Sequence, residues 1–137
     1  MYWFRNDYSR GAHPKVLAAL AAANDSSFPG YGEDAHSAHA VELIRALCAC
    51  PQAEVQFMVG GTQTNAIAIH AFLHPWEGVI SPASGHINGH ECGAVEALGH
   101  KILTVPTGPD GKLTPQQILP IVEEHRFPHL VLPRLVY

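Results

Sequence analysis

The chain has 137 residues, 47% of them hydrophobic and 15% charged, which fits a globular protein with a real core. Its formal net charge is −4, and no basic run or basic-aromatic face is present, which excludes nucleic acid as an expected partner. No apolar run is long enough to cross a bilayer, and Met1-Tyr2-Trp3-Phe4-Arg5-Asn6-Asp7 carries no signal-peptide pattern, so a cytoplasmic protein is expected. The three cysteines, Cys48, Cys50 and Cys92, are odd in number, and Cys48-Ala49-Cys50 lacks the redox Cys-x-x-Cys spacing. Reduced thiols are expected. The ten histidines are scattered and form no metal-binding tract.

In chain order, Ala12-His13-Pro14 opens a helix through Ala23, with proline in its first turn and Asn24 as its stop. A loop with two glycines follows, Phe28-Pro29-Gly30-Tyr31-Gly32. Asp34 can cap a second helix running to about Cys50, because Val41, Ile44, Leu47 and Cys48 recur at helical spacing. Strand and helix then alternate. Strands are expected at Glu54–Val59, Gly78–Ser81, Lys101–Val105 and Leu130–Tyr137. Helices are expected at Thr62–Leu73, His90–Leu98, and from Thr114-Pro115-Gln116-Gln117 to near Arg126. Such alternation argues for right-handed crossovers and a mostly parallel sheet covered on both faces, a three-layer α/β sandwich.

Ligands in such sheets sit beyond the carboxyl ends of strands, which singles out two loops. The first lies in Val55-Gln56-Phe57-Met58-Val59-Gly60-Gly61-Thr62-Gln63-Thr64-Asn65. Glycines allow close backbone approach, and the first N–H groups of the following helix lack internal partners. Together they make a candidate phosphate cradle. It is neither a P-loop, which needs a lysine where Thr62 stands, nor a Rossmann loop, which needs a third glycine. Plain strand-to-helix punctuation is the alternative.

The second loop runs Ser81-Pro82-Ala83-Ser84-Gly85-His86-Ile87-Asn88-Gly89-His90-Glu91-Cys92-Gly93. Its histidines could share a metal, stand as ordinary loop residues, or face a cofactor held by the glycine loop. The His-Glu-x-x-His order is missing and no third ligand is assigned, so no metal is expected.

Several segments together resemble one family. Phe4-Arg5-Asn6-Asp7-Tyr8, Gly11-Ala12-His13-Pro14, Gly30-Tyr31-Gly32-Glu33-Asp34, Gly60-Gly61-Thr62-Gln63-Thr64-Asn65, and His86 with Glu91-Cys92-Gly93 occur in the order and spacing of the threonine aldolase group. These are pyridoxal-phosphate lyases of the aspartate-aminotransferase-like fold. The resemblance implies that Gly60, Gly61 and Thr62 hold the cofactor phosphate. His86 matches the imidazole stacked on the pyridine ring and is the candidate catalytic proton carrier. Asn6 sits where the family places a small polar residue near the substrate carboxylate. Tyr31 and Asp34 lie where the family forms its subunit interface. Residues 1–50 correspond to a helical segment with interface loops, and 51–137 to the first part of the cofactor-binding large domain.

The implied reaction is cleavage of a threonine-like β-hydroxy-α-amino acid to glycine and an aldehyde, with pyridoxal 5'-phosphate as electron sink. A small amino-acid substrate and a homo-oligomer are the expected partners. The family anchors its cofactor by a Schiff-base lysine. Lys15, Lys101 and Lys112 match no such context. The chain is therefore expected to be the N-terminal portion of a longer enzyme, inactive alone, and prone to associate through Leu130, Leu132, Leu135 and Val136. A β-eliminating lyase on the same cofactor, a non-catalytic half of a split enzyme, and an unrelated phosphate-binding α/β domain are the other readings.

Overall fold

The computed structural model describes Asn6 and residues 8–137. The chain forms two compact units, Met1–Gln56 and Phe57–Tyr137.

The first unit carries two helices. α1 (Pro14–Ala23) begins with proline at the position whose N–H needs no acceptor, and His13 Nδ1 accepts from the Lys15 N–H at 3.2 Å. Asn24 ends it. α2 (Ala35–Leu47) is capped by Asp34, whose carboxylate accepts from the Ser37 N–H at 2.9 Å and the Ser37 hydroxyl at 2.6 Å. It stops three residues before the expected Cys50, since Ala49 turns to φ +50°. Neither helix contains a fully buried residue.

The second unit is the α/β part. Its sheet has three parallel strands in the order β2-β1-β3, with β1 at Glu77–Pro82, β2 at Lys101–Val105 and β3 at Leu132–Val136. Val79 pairs with Ile102 on one side and Leu135 on the other. A bulge lies between Gly78 and Val79, opposite Pro133 and Arg134, where a proline in an edge strand is tolerated.

Alternation along β1 sends successive side chains to opposite faces. Val79 joins Ile69 of α3 (Gly61–Phe72), Leu73 just past its end, Ile87 of α4 (His86–Gly89) and Val95 of α5 (Ala94–Ala97). Ile80 joins Leu103 and Val105, with Ile118, Ile121 and Val122 of α6 (Pro115–Glu124) packed against them. Helices thus cover both faces, giving the expected three layers. The β1-to-β2 and β2-to-β3 crossovers run in opposite directions across the sheet and use opposite faces. The two crossovers therefore share one hand, as parallel connections require.

Two expectations are corrected. Glu54–Val59 is not a strand. A strand persists only with a ladder partner, and the three-stranded sheet provides none for it; Val59 is 93% exposed. Of the helix expected over His90–Leu98 only the four-residue α5 forms, and a separate short helix, α4, precedes that range. Cys92 at φ +53° and Gly93 at φ +74° separate them, because left-handed backbone cannot continue a helix. No helix among the described residues is long and apolar enough to cross a membrane.

Candidate functional site

α3 packs on the sheet through Ile69, with Leu73 just past its end, and leads by a short turn into β1, so it runs antiparallel to the strands. Its N-terminus therefore points toward their carboxyl ends. Gly60 caps the helix in extended backbone, φ −177°, without a side-chain hydrogen bond. Any residue adopts that conformation, so the glycines serve space rather than backbone strain. A Cβ added at Gly60 or Gly61 meets nothing within 4 Å. Among the described residues, no group accepts from the N–H of Gly61, Thr62 or Gln63. The first satisfied amide is Thr64, which donates to Gly60 O at 3.0 Å, while its hydroxyl donates to the same oxygen at 2.9 Å. Gln63 Oε1 accepts from the Val59 N–H at 3.1 Å, which holds the approach to the helix. The result is an open helix N-terminus with free donors, although the segment leading into it is irregular rather than the expected strand.

The loop after β1 supplies the other half. His86 opens α4, anchored by the buried Ile87 beside it. The left-handed turn at Cys92 and Gly93 brings Glu91 inward, 4% exposed. Glu91 Oε1 stands 2.8 Å from His86 Nδ1 and 2.6 Å from Asn65 Nδ2. Asn65 Nδ2 also reaches the hydroxyl of Tyr137, just past β3, at 3.4 Å. Residues from α3, the β1 loop and the end of β3 thus meet at one edge of the sheet. The imidazole of His86 remains 59% exposed, and no described residue hydrogen-bonds its Nε2. The His90 ring lies 5.5 Å from it, centroid to centroid. Among the described residues, no three His, Cys, Asp or Glu side chains gather as a metal would need.

The remaining sequence candidates lie in the first unit. Asn6 Oδ1 accepts from the Ser9 hydroxyl. Of its motif, Phe4, Arg5 and Asp7 lie outside the described residues. Tyr31 is fully exposed with φ +61°, followed by Gly32 at φ +78°. Asp34 has its local role as the α2 cap, and the Ser37 hydrogen bonds hold its carboxyl below the usual aspartate range.

Sequence reasoning missed the part played by Asn65 and Glu91. Asn65 was legible only as a motif letter and Glu91 only as a loop acid. They are 26 residues apart, and only packing of α3 against the β1 loop makes them neighbours. It also missed the pair of His70 Nδ1 and buried His100 Nε2, 2.9 Å apart.

Comparison with known proteins agrees over nearly the whole chain. The family model described as beta-eliminating lyase matches residues 4–137. The low specificity L-threonine aldolase of Pseudomonas aeruginosa is 35% identical over 135 residues, which is 97% of this chain and 38% of that protein. The enzyme of the same name from a Pseudomonas species is 33% identical over the same shares. A solved structure of Leishmania major threonine aldolase is 51% identical and superposes with a TM-score of 0.93, covering 96% of this chain and 38% of that one. The chain spans about 38% of the length of the curated relatives it matches.

Proposed function

Because the chain belongs to the beta-eliminating lyase family, we propose that it forms part of a pyridoxal 5'-phosphate lyase acting on threonine-like β-hydroxy-α-amino acids, releasing glycine and an aldehyde. The observation that carries this reading is the joining of the α3 N-terminus to His86 through Asn65 and Glu91 at the carboxyl edge of the sheet.

The residues present fit a phosphorylated aromatic cofactor. The unpaired N–H groups of Gly61, Thr62 and Gln63 suit a phosphate, with the helix dipole favouring its charge. The empty space where a Cβ would stand at Gly60 and Gly61 lets phosphate oxygens reach the backbone. His86 offers an exposed ring of the right shape to lie against a pyridine. When bound, the cofactor supplies the electron sink for breaking a bond at the amino-acid Cα. The protein's own part is to hold the phosphate at α3, to cover one ring face with His86, and to take the substrate hydroxyl proton at His86 Nε2, directly or through water. Asn6 as carboxylate contact, and Tyr31 and Asp34 as residues of a homo-oligomer interface, complete the proposal.

The experiment is a fluorescence titration of the 137-residue chain with pyridoxal phosphate and, separately, with pyridoxal. Binding that needs the phosphate and weakens in a Gly61→Ala variant, whose methyl would fill the approach to the backbone, supports the reading. Equal binding of the two compounds refutes it. Lys15, Lys101 and Lys112 match no cofactor-anchoring context, so borohydride is expected to trap no stoichiometric adduct at a single lysine, and threonine to give no glycine or acetaldehyde above the level of free pyridoxal phosphate from this chain alone. In the extended enzyme, glycine and aldehyde from threonine would support retro-aldol cleavage. Ammonia and a keto acid would favour β-elimination instead.

A further inference from the structure

Among the buried side-chain polar atoms of the described residues, Glu91 Oε2 alone has no hydrogen-bond partner. A carboxylate loses hydration on burial and is poorly tolerated unless it is paired and hydrogen-bonded. The neighbouring buried positions of this loop, Ile87 and Val95, carry the aliphatic residues that packing alone selects. Glu91 carries a charge-bearing group instead, with its other oxygen between two specific atoms, Nδ1 of His86 and Nδ2 of Asn65.

The donor inventory fixes the hydrogens. An ionised carboxylate only accepts, and the amide nitrogen of asparagine only donates. Nδ1 of His86, 2.8 Å from Oε1, must then carry a hydrogen. In the neutral ring this leaves the lone pair on Nε2, the nitrogen with no described partner. Asn65 ties the same oxygen to the second turn of α3. The orientation of the ring is thereby referred to the helix whose N-terminus is the phosphate cradle.

We infer that Glu91 is a positioning residue: it holds His86 in the Nδ1–H tautomer with its ring plane fixed, so that Nε2 is the proton acceptor presented to substrate. The use made of Nε2 rests on the functional reading above. The tautomer does not, and is open to measurement without cofactor or turnover.

The test is long-range proton–nitrogen correlation of the imidazoles in the ¹⁵N-labelled 137-residue chain, at a pH of about 8.5 where histidine is neutral. A His86→Gln variant assigns the signals. The wild-type chain is expected to show His86 as the Nδ1–H form. Glu91→Ala should move it to a mixture of tautomers, and Glu91→Gln, which keeps an acceptor oxygen, should retain the wild-type form. An Nε2–H or averaged ring in the wild type overturns the inference without any variant. So does an unchanged Nδ1–H form in Glu91→Ala, or loss in Glu91→Gln as complete as in Glu91→Ala. Pyridoxal phosphate binding is measured separately. A chain with the Nδ1–H ring that binds no cofactor keeps the His86–Glu91 pair and loses the cofactor reading. A chain that binds cofactor with an Nε2–H ring loses the pair and keeps the cofactor reading.

Discussion

Two residues in the α3 start separate stability from binding. Gly61 has φ in the ordinary region and open space where a side chain would project. Alanine there removes backbone freedom from the unfolded chain without strain. Gly61→Ala should therefore raise stability by up to about 1 kcal/mol. The same methyl stands where phosphate oxygens are proposed to approach, so pyridoxal phosphate affinity should fall about tenfold or more. Urea denaturation and fluorescence titration on one preparation check both. Asn65 behaves in the opposite way. Its amide donates to a buried carboxylate, and hydrogen bonds to charged groups are worth about 1.5–3 kcal/mol. Asn65→Ala should lower the urea-derived stability by about that amount, and a loss under about 0.5 kcal/mol would show that the contact carries little.

Elements are held by close contacts that composition does not reveal. β1 approaches β2 so closely at Gly78 that an added Cβ would stand 2.8 Å from Lys101 O and 2.8 Å from Val131 Cγ1. One neighbour is backbone in a paired strand and cannot withdraw cheaply. Gly78→Ala should cost about 1–3 kcal/mol, read as a drop in melting temperature. The contrast with Gly61→Ala, the same chemical change with the opposite sign, depends only on the surroundings. α6 shows a local rule that packing kept. Thr114 and Gln117 form a reciprocal capping box, with the Thr114 N–H donating to Gln117 Oε1 at 2.8 Å. That start was readable from Thr114-Pro115-Gln116-Gln117 alone, because a cap is made by residues within one turn of each other.

The whole molecule should be sensitive to acid. Glu77, buried at the start of β1, accepts from the His74 N–H at 2.8 Å and from Arg134 Nε at 3.2 Å. The His74 amide first, and then Arg134, hold its carboxyl below the ordinary glutamate value of 4.5. Asp34 is likewise lowered from 3.8 by Ser37. A lowered folded-state pKa means the unfolded chain binds protons first as pH falls. The stabilisation is complete above the ordinary value and is lost as pH drops through the folded one. Urea midpoints should hold steady down to about pH 5 and then decline, and Glu77→Gln should flatten the decline. Across the surface, Leu47, Val59 and Phe72 are largely exposed, as is Val136 on the outer strand β3, whereas Leu135 packs on the core. Exposed apolar surface beside an open strand favours association. Light scattering of the 137-residue chain should show mass rising with concentration, and a monomer at every concentration would contradict it.

By itself the sequence determined what neighbours along the chain decide. Helix caps at Asp34 and Thr114, the β2 strand at Lys101–Val105, the α/β alternation and the glycine-led start of α3 were all legible, because caps, periodicity and breakers act within a few residues. Tertiary structure decided the rest. Glu54–Val59 has a strand's composition but no partner in the sheet, and pairing is a property of two segments. His90–Leu98 has helical spacing, yet the chain turns left-handed at Cys92 and Gly93 so that Glu91 can be buried beneath His86. The joining of Asn65, His86, Glu91 and Tyr137 spans 72 positions of chain, and only the packing of α3 and two strands onto one sheet edge brings those atoms within hydrogen-bonding distance.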